Sequence, residues 1–262
     1  MLLALVVFLA PSDALAWGPA AHLETGRAVL AQASLLSEFV RVLLQSRPWD
    51  FLYGNLSPDI VLVKNAVPAY RNGHRWQVGF RMLSESQDPS TCAFALGYLC
   101  HLASDTVAHN RFVPHMIKTW PKKLGSKHLY WEHRFDERVI HDEPELDILI
   151  HSILKQSFPV NDRFFRRLVP MSLLPHRVSR SLFTKGVRIQ SLPSIRDQVE
   201  KRALRSRFKL PDSEYEIWKS RSHHAVFDLL YNLENADITG IDPMGRDAIL
   251  QARYRPKSSS LG

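Results

Sequence analysis

The amino-acid sequence predicts an all-α protein, on three observations. Apolar residues recur at helical spacing through several long segments. Prolines stand just beyond the ends of these segments, where a helix is expected to stop. No two stretches of alternating apolar and polar residues are joined by a turn sequence, so a β-hairpin is not indicated. The chain has 262 residues, 45% hydrophobic and 23% charged, a composition typical of a soluble folded protein.

The first element is an apolar run, Leu2–Ala10, that is too short to span a bilayer, which needs about 20 residues. It fits the apolar core of a secretory signal, although no Lys or Arg precedes it. The sequence ALA at 14–16 has the small-x-small pattern of a cleavage site. We therefore predict a signal peptide at 1–16 and an exported chain, periplasmic or secreted, that begins at Trp17.

Helical periodicity then continues along the chain. The segment at 22–46 is predicted to be one helix. The segment at 90–110 is predicted to be a second helix, capped by Ser90 or Thr91 and stopped by Pro114. Further helices are predicted at 128–140, 145–157, 161–169, 194–208 and 213–235. Because no repeat or long linker divides the chain, we expect one globular domain at 17–250, followed by a disordered tail at 251–262.

The two cysteines, Cys92 and Cys100, lie eight residues apart in the second predicted helix. That spacing separates their Cα atoms by about 12 Å, whereas a disulfide needs less than about 7 Å. We expect two buried thiols. The stability of an exported chain would then come from its core or from bound metal.

The net charge of +8 is concentrated in the second half of the chain. Residues 150–262 hold 20 Lys and Arg against 11 Asp and Glu, with a peak at 196–209. Two interpretations stay open at this point. The basic stretch is either a solvated helix face or a surface for an anionic partner, which would be phospholipid headgroups or nucleic acid.

Histidines and carboxylates are placed as metal ligands would be. His101, Asp105 and His109 follow one another at intervals of four, which puts them on one face of a helix. A single pair of this kind is more often a surface pair or a core histidine. The spacing recurs, however, in a later helix.

In that later helix, His128 and Glu132 are four residues apart, and His133 and Glu137 form an overlapping copy in the next register. Spacing alone does not choose between the two pairs. Each would place an imidazole and a carboxylate on one helix face.

Two more candidates are predicted to lie in loops: Asp59, beside Pro58 and near Gly54, and His74, beside Gly73. Together with the helical candidates they exceed the roughly four ligands that one zinc ion takes. We therefore expect a cluster of metal ions, with a carboxylate such as Asp105 bridging two of them.

In kind and order, these residues resemble the ligands of the bacterial zinc-dependent phospholipases C. That family shares its all-α fold with the fungal single-strand nucleases and with the catalytic part of the glycosylphosphatidylinositol-specific phospholipases D. Its members bind three zinc ions, and the first ligand is an N-terminal Trp that uses its free amino group and its carbonyl oxygen. The resemblance covers about residues 17–140 and these positions: Trp17, His22, Asp59, His74, His101, Asp105, His109, His128 and Glu132.

The resemblance implies a grouping of the ligands. One zinc would be held by Asp59, His74, His101 and Asp105. A second would share Asp105 and add Trp17 and His22, and a third would be held by His109, His128 and Glu132. The resemblance also favours the pair at 128 and 132 over the pair at 133 and 137.

Two spacings and one residue identity point to different branches of the family. His109 follows Asp105 by four residues, as in the phospholipase D-like branch. The interval from Trp17 to His22 resembles the nucleases, and a glutamate at 132 resembles the phospholipases. No single branch is selected.

The resemblance implies an exported zinc-dependent phosphodiesterase that hydrolyses phospholipids, in which metal-activated water attacks phosphorus. Asp59 is the candidate catalytic base. One alternative is a single-strand nuclease of the same fold, with nucleic acid as substrate only. Another is a non-catalytic zinc-binding protein at a membrane surface, contacting anionic lipid through its basic second half.

Overall fold

The computed structural model describes residues 17–60, 73–120, 128–169, 175–192 and 209–253, and within these ranges it contains helices and no strands. The prediction of an all-α fold is confirmed. The α-helices in chain order are α1 (Pro19–Ala31), α2 (Glu38–Ser46), α3 (Pro48–Ile60), α4 (Trp76–Glu85), α5 (Pro89–Val107), α6 (Val113–Thr119), α7 (His128–Asp142), α8 (Glu145–Lys155), α9 (Pro159–Leu168), α10 (His176–Gln190), α11 (Asp212–Asn232) and α12 (Arg246–Arg253).

Helix α5 is the centre of the fold, because every residue from Ala93 to Val107 is buried. Helices α3, α4 and α11 pack against it. The cap of α5 was predicted to be Ser90 or Thr91, and this is wrong. Asp88 is the N-cap, and its carboxylate accepts from the backbone N–H groups of Ser90 at 2.9 Å and Thr91 at 3.0 Å. Pro89 fits the first helical position, where its missing N–H costs nothing.

Helices α3 and α5 approach closely at a pair of glycines. A Cβ added to Gly54 would lie 2.2 Å from the Phe94 carbonyl oxygen, and one added to Gly97 would lie 2.0 Å from the Phe51 carbonyl oxygen. The two backbones can therefore touch only because both positions lack a side chain. This contact brings the end of α3 beside the middle of α5.

Asp59 was predicted to lie in a loop, but it lies in α3, which runs through Pro58 to Ile60. The turn propensities of proline and glycine are overridden here by tertiary packing. All residues of α3 from Phe51 to Ile60 are buried, and the Ser57 hydroxyl donates to the Tyr53 carbonyl at 2.7 Å. His74 does lie in the loop immediately before α4, as predicted.

The single helix predicted at 22–46 is wrong, because the chain breaks between α1 and α2. A short 3₁₀ turn, Ala33–Leu35, separates them, and Leu36 has extended backbone angles before α2. Leu36 and Val40 are both buried, so apolar residues continue at helical spacing across the break. Periodicity alone therefore did not reveal it.

The prediction that Pro114 ends the second helix is also wrong. After α5 the chain forms a π-helical turn, Ala108–Phe112, and then continues directly into α6. Pro114 lies in the first turn of α6, where a helix tolerates proline.

Four later predictions are confirmed with small shifts at the ends: the helices at 128–140, 145–157, 161–169 and 213–235 are α7, α8, α9 and α11. The signal peptide at 1–16 and the predicted helix at 194–208 lie outside the described residues, as does nearly all of the basic stretch at 196–209. Helix α12 extends to Arg253, past the predicted boundary at 250.

Cys92 and Cys100 both lie on α5 as free thiols. Cys100 is buried, whereas Cys92 is partly exposed, so the expectation of two buried thiols is correct only for Cys100. Over the described residues, no helix combines the length and the apolar character that crossing a membrane requires.

Candidate metal centre

The first group of possible ligands joins His22 of α1 to His101 and Asp105 of α5. His22 Nε2 lies 3.2 Å from Asp105 Oδ1, and His101 Nε2 lies 3.1 Å from Asp105 Oδ2. The rings of His22 and His101 stack with their centroids 3.8 Å apart. All three residues are fully buried, so one carboxylate faces two imidazoles away from water.

The second group consists of Asp59, His74 and His101. Asp59 Oδ1 lies 3.4 Å from His74 Nε2 and 3.9 Å from His101 Nε2. His74 Nε2 is also 3.2 Å from His101 Nε2 and 3.5 Å from Asp105 Oδ2. Because His101 belongs to both groups and Asp105 contacts both, the two groups form one continuous cluster.

These separations match those in a tetrahedral zinc site. Zinc bonds to nitrogen or oxygen of about 2.0–2.1 Å place neighbouring ligand atoms roughly 3.3 Å apart. The contacts of Asp105 with the three imidazoles span 3.1–3.5 Å. Moreover, the Nε2 atoms of His74 and His101 face each other at 3.2 Å. Without a cation, this is a favourable contact only if one of the two nitrogens carries a proton and donates it.

Unsatisfied polar atoms support the same conclusion. Among the described residues, neither oxygen of Asp105, neither oxygen of Glu132 and neither ring nitrogen of His22 has a hydrogen-bond partner of normal geometry. A buried carboxylate without a partner is costly. Bound cations would compensate the oxygens of Asp105 and Glu132 and the His22 Nε2 atom that faces Asp105, so the residues present fit a metal centre.

Protonation states in the first group suit metal ligands. Burial, together with the neighbouring ring of His101, lowers the pKa of His22, which keeps its imidazole neutral. Burial opposes ionisation of Asp105, but the adjacent His101 and His22 outweigh it and hold the pKa of Asp105 well below its usual value. The group therefore presents an ionised carboxylate and a neutral imidazole, the forms that bind zinc.

The third group is His109, His128 and Glu132. Glu132 Oε1 lies 3.5 Å from His109 Nε2 and 3.7 Å from His128 Nε2, and all three residues are buried. The interval of four predicted that His109 shares a face with His101 and Asp105. Instead His109 lies in the π-helical turn, where the wider winding changes its direction and brings it to the residues of α7.

Without a cation, the third group retains protons. Burial raises the pKa of Glu132 to about 8. Burial alone would lower the pKa of His109, but the Glu132 carboxylate beside it raises that pKa to about 9. Both pKa values lie above 7, so at pH 7 the pair retains at least one proton, which a metal ion must displace to bind here.

Zinc affinity at the third group should therefore rise with pH until about pH 9 and fall as the solution is acidified. Each displaced proton contributes about a tenfold change in affinity per pH unit. Calorimetry in buffers of different ionisation enthalpy measures the protons released. The Asp105→Asn variant should retain only the third group, so the protons that it releases on binding zinc come from that group alone. An affinity that stays constant between pH 6 and pH 8 would contradict this expectation.

Trp17 is buried against the elements that carry the third group. Its indole stacks on Phe135 of α7, with centroids 4.4 Å apart, and meets Phe112 of the π-helical turn edge-on at 6.1 Å. These contacts fix residue 17 immediately before α1, the helix that carries His22. Ligation by the backbone of Trp17 stays a prediction.

The comparison with protein families decides the assignment. A profile of the family described as zinc-dependent phospholipase C matches residues 21–171, more than half of the chain. The chain belongs to the zinc-dependent phospholipase C family. Neither the curated proteins nor the solved structures with which the chain was compared gave a match.

In this member of the zinc-dependent phospholipase C family, the remaining histidines lie outside the candidate metal groups found among the described residues. Within the described residues, the groups able to hold a metal ion do not include His133, which pairs with Glu137 at 3.3 Å on a partly exposed face of α7. Burial favours the other register, because His128 and Glu132 are buried and lie with His109 in a group that could hold a metal ion. The other histidines outside these groups are His115, His141, His151, His176, His223 and His224.

Asp136 is a residue of this site that the sequence analysis missed. Its partly buried carboxylate accepts from the backbone N–H groups of Ala21 at 2.8 Å and Ala20 at 3.4 Å, in the first turn of α1. Gly18 passes so close that an added Cβ would lie 2.4 Å from the same carboxylate. Asp136 thus holds the start of α1, and with it Trp17, against α7.

Several backbone and side-chain groups that surround the possible ligands also escaped the sequence analysis. His101 Nδ1 lies 2.8 Å from the Asn55 carbonyl oxygen, and His109 Nδ1 lies 2.7 Å from the Pro243 carbonyl oxygen. Each carbonyl can only accept, so each fixes the proton on Nδ1 and leaves Nε2 available as a ligand. Pro243 lies outside the residues that match the family.

Proposed function

We propose that this chain is an exported, zinc-dependent phosphodiesterase of the phospholipase C type that hydrolyses phospholipids. The observation that supports this most strongly is the buried cluster around Asp105. One carboxylate lies within 3.1–3.5 Å of three imidazole nitrogens, in a chain whose family depends on zinc.

We infer three zinc ions and assign the ligands as the family resemblance implies. The first would be held by Asp59, His74, His101 and Asp105. The second would be held by Asp105, His22 and the amino group and carbonyl oxygen of Trp17, after cleavage of the signal peptide. The third would be held by His109, His128 and Glu132.

Charge balance favours an anionic substrate at this site. Three divalent ions and the carboxylates of Asp59, Asp105 and Glu132 leave a net charge of about +3, which suits a phosphodiester. Zinc, when bound, polarises a phosphoryl oxygen and lowers the pKa of water. The buried imidazoles add no charge of their own, because they must be neutral to bind metal.

In the proposed reaction, the oxygen of water forms a bond to phosphorus while the bond from phosphorus to the glycerol oxygen breaks. Asp59 takes a proton from the attacking water, a solvent water gives a proton to the departing glycerol oxygen, and the resulting hydroxide takes the proton back from Asp59. The products are diacylglycerol and a phosphorylated headgroup. Asp59 suits this role by position, because its carboxylate lies at the edge of the cluster, with Oδ1 3.4 Å from His74 Nε2 and Oδ2 3.9 Å from His22 Nε2.

Replacing Asp59 with asparagine removes the proton acceptor and should lower kcat by about 10²–10⁴-fold. Because Asp59 is also a proposed ligand, the metal content of the same preparation has to be measured. Hydrolysis at the wild-type rate with full metal content would remove Asp59 from the role of base.

The substrate class is tested by offering two classes of phosphodiester, phospholipid and nucleic acid, to the metal-loaded chain that begins at Trp17. Vesicles of phosphatidylcholine and phosphatidylglycerol should release phosphorylated headgroups, whereas single-stranded DNA should remain intact. Digestion of DNA alone would indicate a nuclease of the same fold. Turnover of neither substrate by a zinc-loaded chain would indicate a non-catalytic binding protein.

Contact between the basic stretch at 196–209 and an anionic membrane is a separate proposal. If it is correct, binding of the chain to phosphatidylglycerol vesicles should weaken as salt screens the charges, since exposed charges interact over about 10 Å at 0.1 M salt. Binding to pure phosphatidylcholine vesicles is the control.

A further inference from the structure

A turn at residues 241–245, outside the part of the chain that matches the family, packs directly against the π-helical turn that carries His109. We refer to it as the 241–245 turn. The Pro243 carbonyl oxygen lies 2.7 Å from His109 Nδ1. The Asp242 carbonyl accepts from the side chain of Asn110 at 2.8 Å, and the Ile241 carbonyl accepts from the indole of Trp76 at 2.8 Å.

The Pro243 contact determines the tautomer of His109. A carbonyl oxygen accepts and never donates, so the hydrogen bond requires the proton on Nδ1. In the neutral ring, Nε2 then carries the lone pair, and Nε2 is the atom that faces Glu132 at 3.5 Å. The contact therefore prepares His109 to bind metal in the third group.

Gly245 makes this close packing possible. Its φ is +53°, which strains any residue with a side chain. A Cβ at this position would lie 2.5 Å from His109 Cβ and 2.6 Å from the backbone carbonyl carbon and oxygen of His109. An alanine here would therefore push the 241–245 turn away from the ligand.

We propose that the 241–245 turn is a positioning element for the third metal ion, which acts by fixing the tautomer and orientation of His109. This inference rests on the proposed zinc centre. It adds that metal binding at the third group depends on a segment far away in sequence, because His109 and Pro243 are 134 residues apart.

The Gly245→Ala variant tests the proposal, with Gly240→Ala as the matched control. Gly240 has nothing in the described chain within 4 Å of an added Cβ. We expect Gly245→Ala to bind the third zinc about 10–100-fold more weakly, the range for groups that orient a metal ligand, while the other two ions are retained. Chelator competition followed by metal analysis gives the measurement. Equal retention of all ions in both variants would overturn the proposal.

A second variant covers the case in which Gly245→Ala does not fold. Asn110→Leu keeps the approximate size of the side chain but removes the donor to the Asp242 carbonyl. Like Gly245→Ala, it should lower the affinity of the third group for zinc. In ¹⁵N-histidine spectra of the metal-free protein, recorded above pH 9 so that the His109 ring is neutral, it should also reduce the fraction of His109 protonated on Nδ1. An unchanged tautomer together with unchanged zinc affinity would refute the positioning role.

Failure of the proposed function would look different. A wild-type chain that never binds a third ion would remove the zinc assignment itself. If the wild-type chain and Gly245→Ala both bind three zinc ions with equal affinity, only the role of the 241–245 turn is removed.

Discussion

Replacing Asp105 with asparagine should remove two metal ions at once and lower phospholipid hydrolysis by about 10³-fold or more. The carboxylate is fully buried, and its oxygens lie 3.1–3.5 Å from the Nε2 atoms of His22, His74 and His101. An amide has no charge to share between two cations. It would also direct an N–H group at imidazole nitrogens that need to remain free for metal.

The measurement combines zinc content with headgroup release from vesicles. Asp228→Asn is the matched control, since Asp228 lies on α11 and its carboxylate accepts from exposed Asn232 at 2.7 Å. The control should keep three ions and full activity. Asp105→Asn should keep only the ion of the third group. Retention of all ions by Asp105→Asn would contradict the bridging role.

Adding one glycine in front of Trp17 should remove the second zinc and lower activity about 100-fold or more. The amide nitrogen that replaces the free amino group has a delocalised lone pair and cannot bind metal. A free α-amino group has a pKa near 8, so metal displaces its proton readily. The contacts of Trp17 with Phe135 and Phe112 and of Asp136 with α1 would hold the terminus in place.

The control for this experiment is a chain that starts with Trp17→Phe. That variant keeps a free amino group but loses the indole, so it should retain most of the second zinc. The two variants separate the chemistry of the terminus from the packing of the side chain. Full zinc content in the glycine-extended chain would show that the amino group is not a ligand.

Much of the centre could be predicted from sequence because helical spacing is a local property. His101 and Asp105 are four residues apart on one straight helix, and they meet as that spacing requires. The same holds for His128 and Glu132. The choice between the overlapping pairs in α7 came from the resemblance, and it agrees with the burial of the inner pair.

The position of His109 could not be predicted from spacing. A π-helical turn changes the direction of every side chain after it, and the residues Ala108–Phe112 carry no sequence signature of it. The helical placement of Asp59 was missed for a related reason. It depends on the contact of Gly54 with Gly97, two residues that are distant in sequence.

The supporting groups were missed because their role depends on tertiary contacts. Pro243 contributes a backbone carbonyl, which any residue has, so its identity gives no signal. Asp136 has no distinguishing sequence signal, because its role comes from the start of α1, which it meets only in the folded chain. A positive φ at Gly245, with His109 directly beside it, is visible only in the fold.

The most direct test of the account is a metal count on the chain that begins at Trp17. Native mass spectrometry and elemental analysis of the same preparation give the number of zinc ions in each folded chain. The account predicts three. One ion or none, in a chain with intact helical structure, would contradict it.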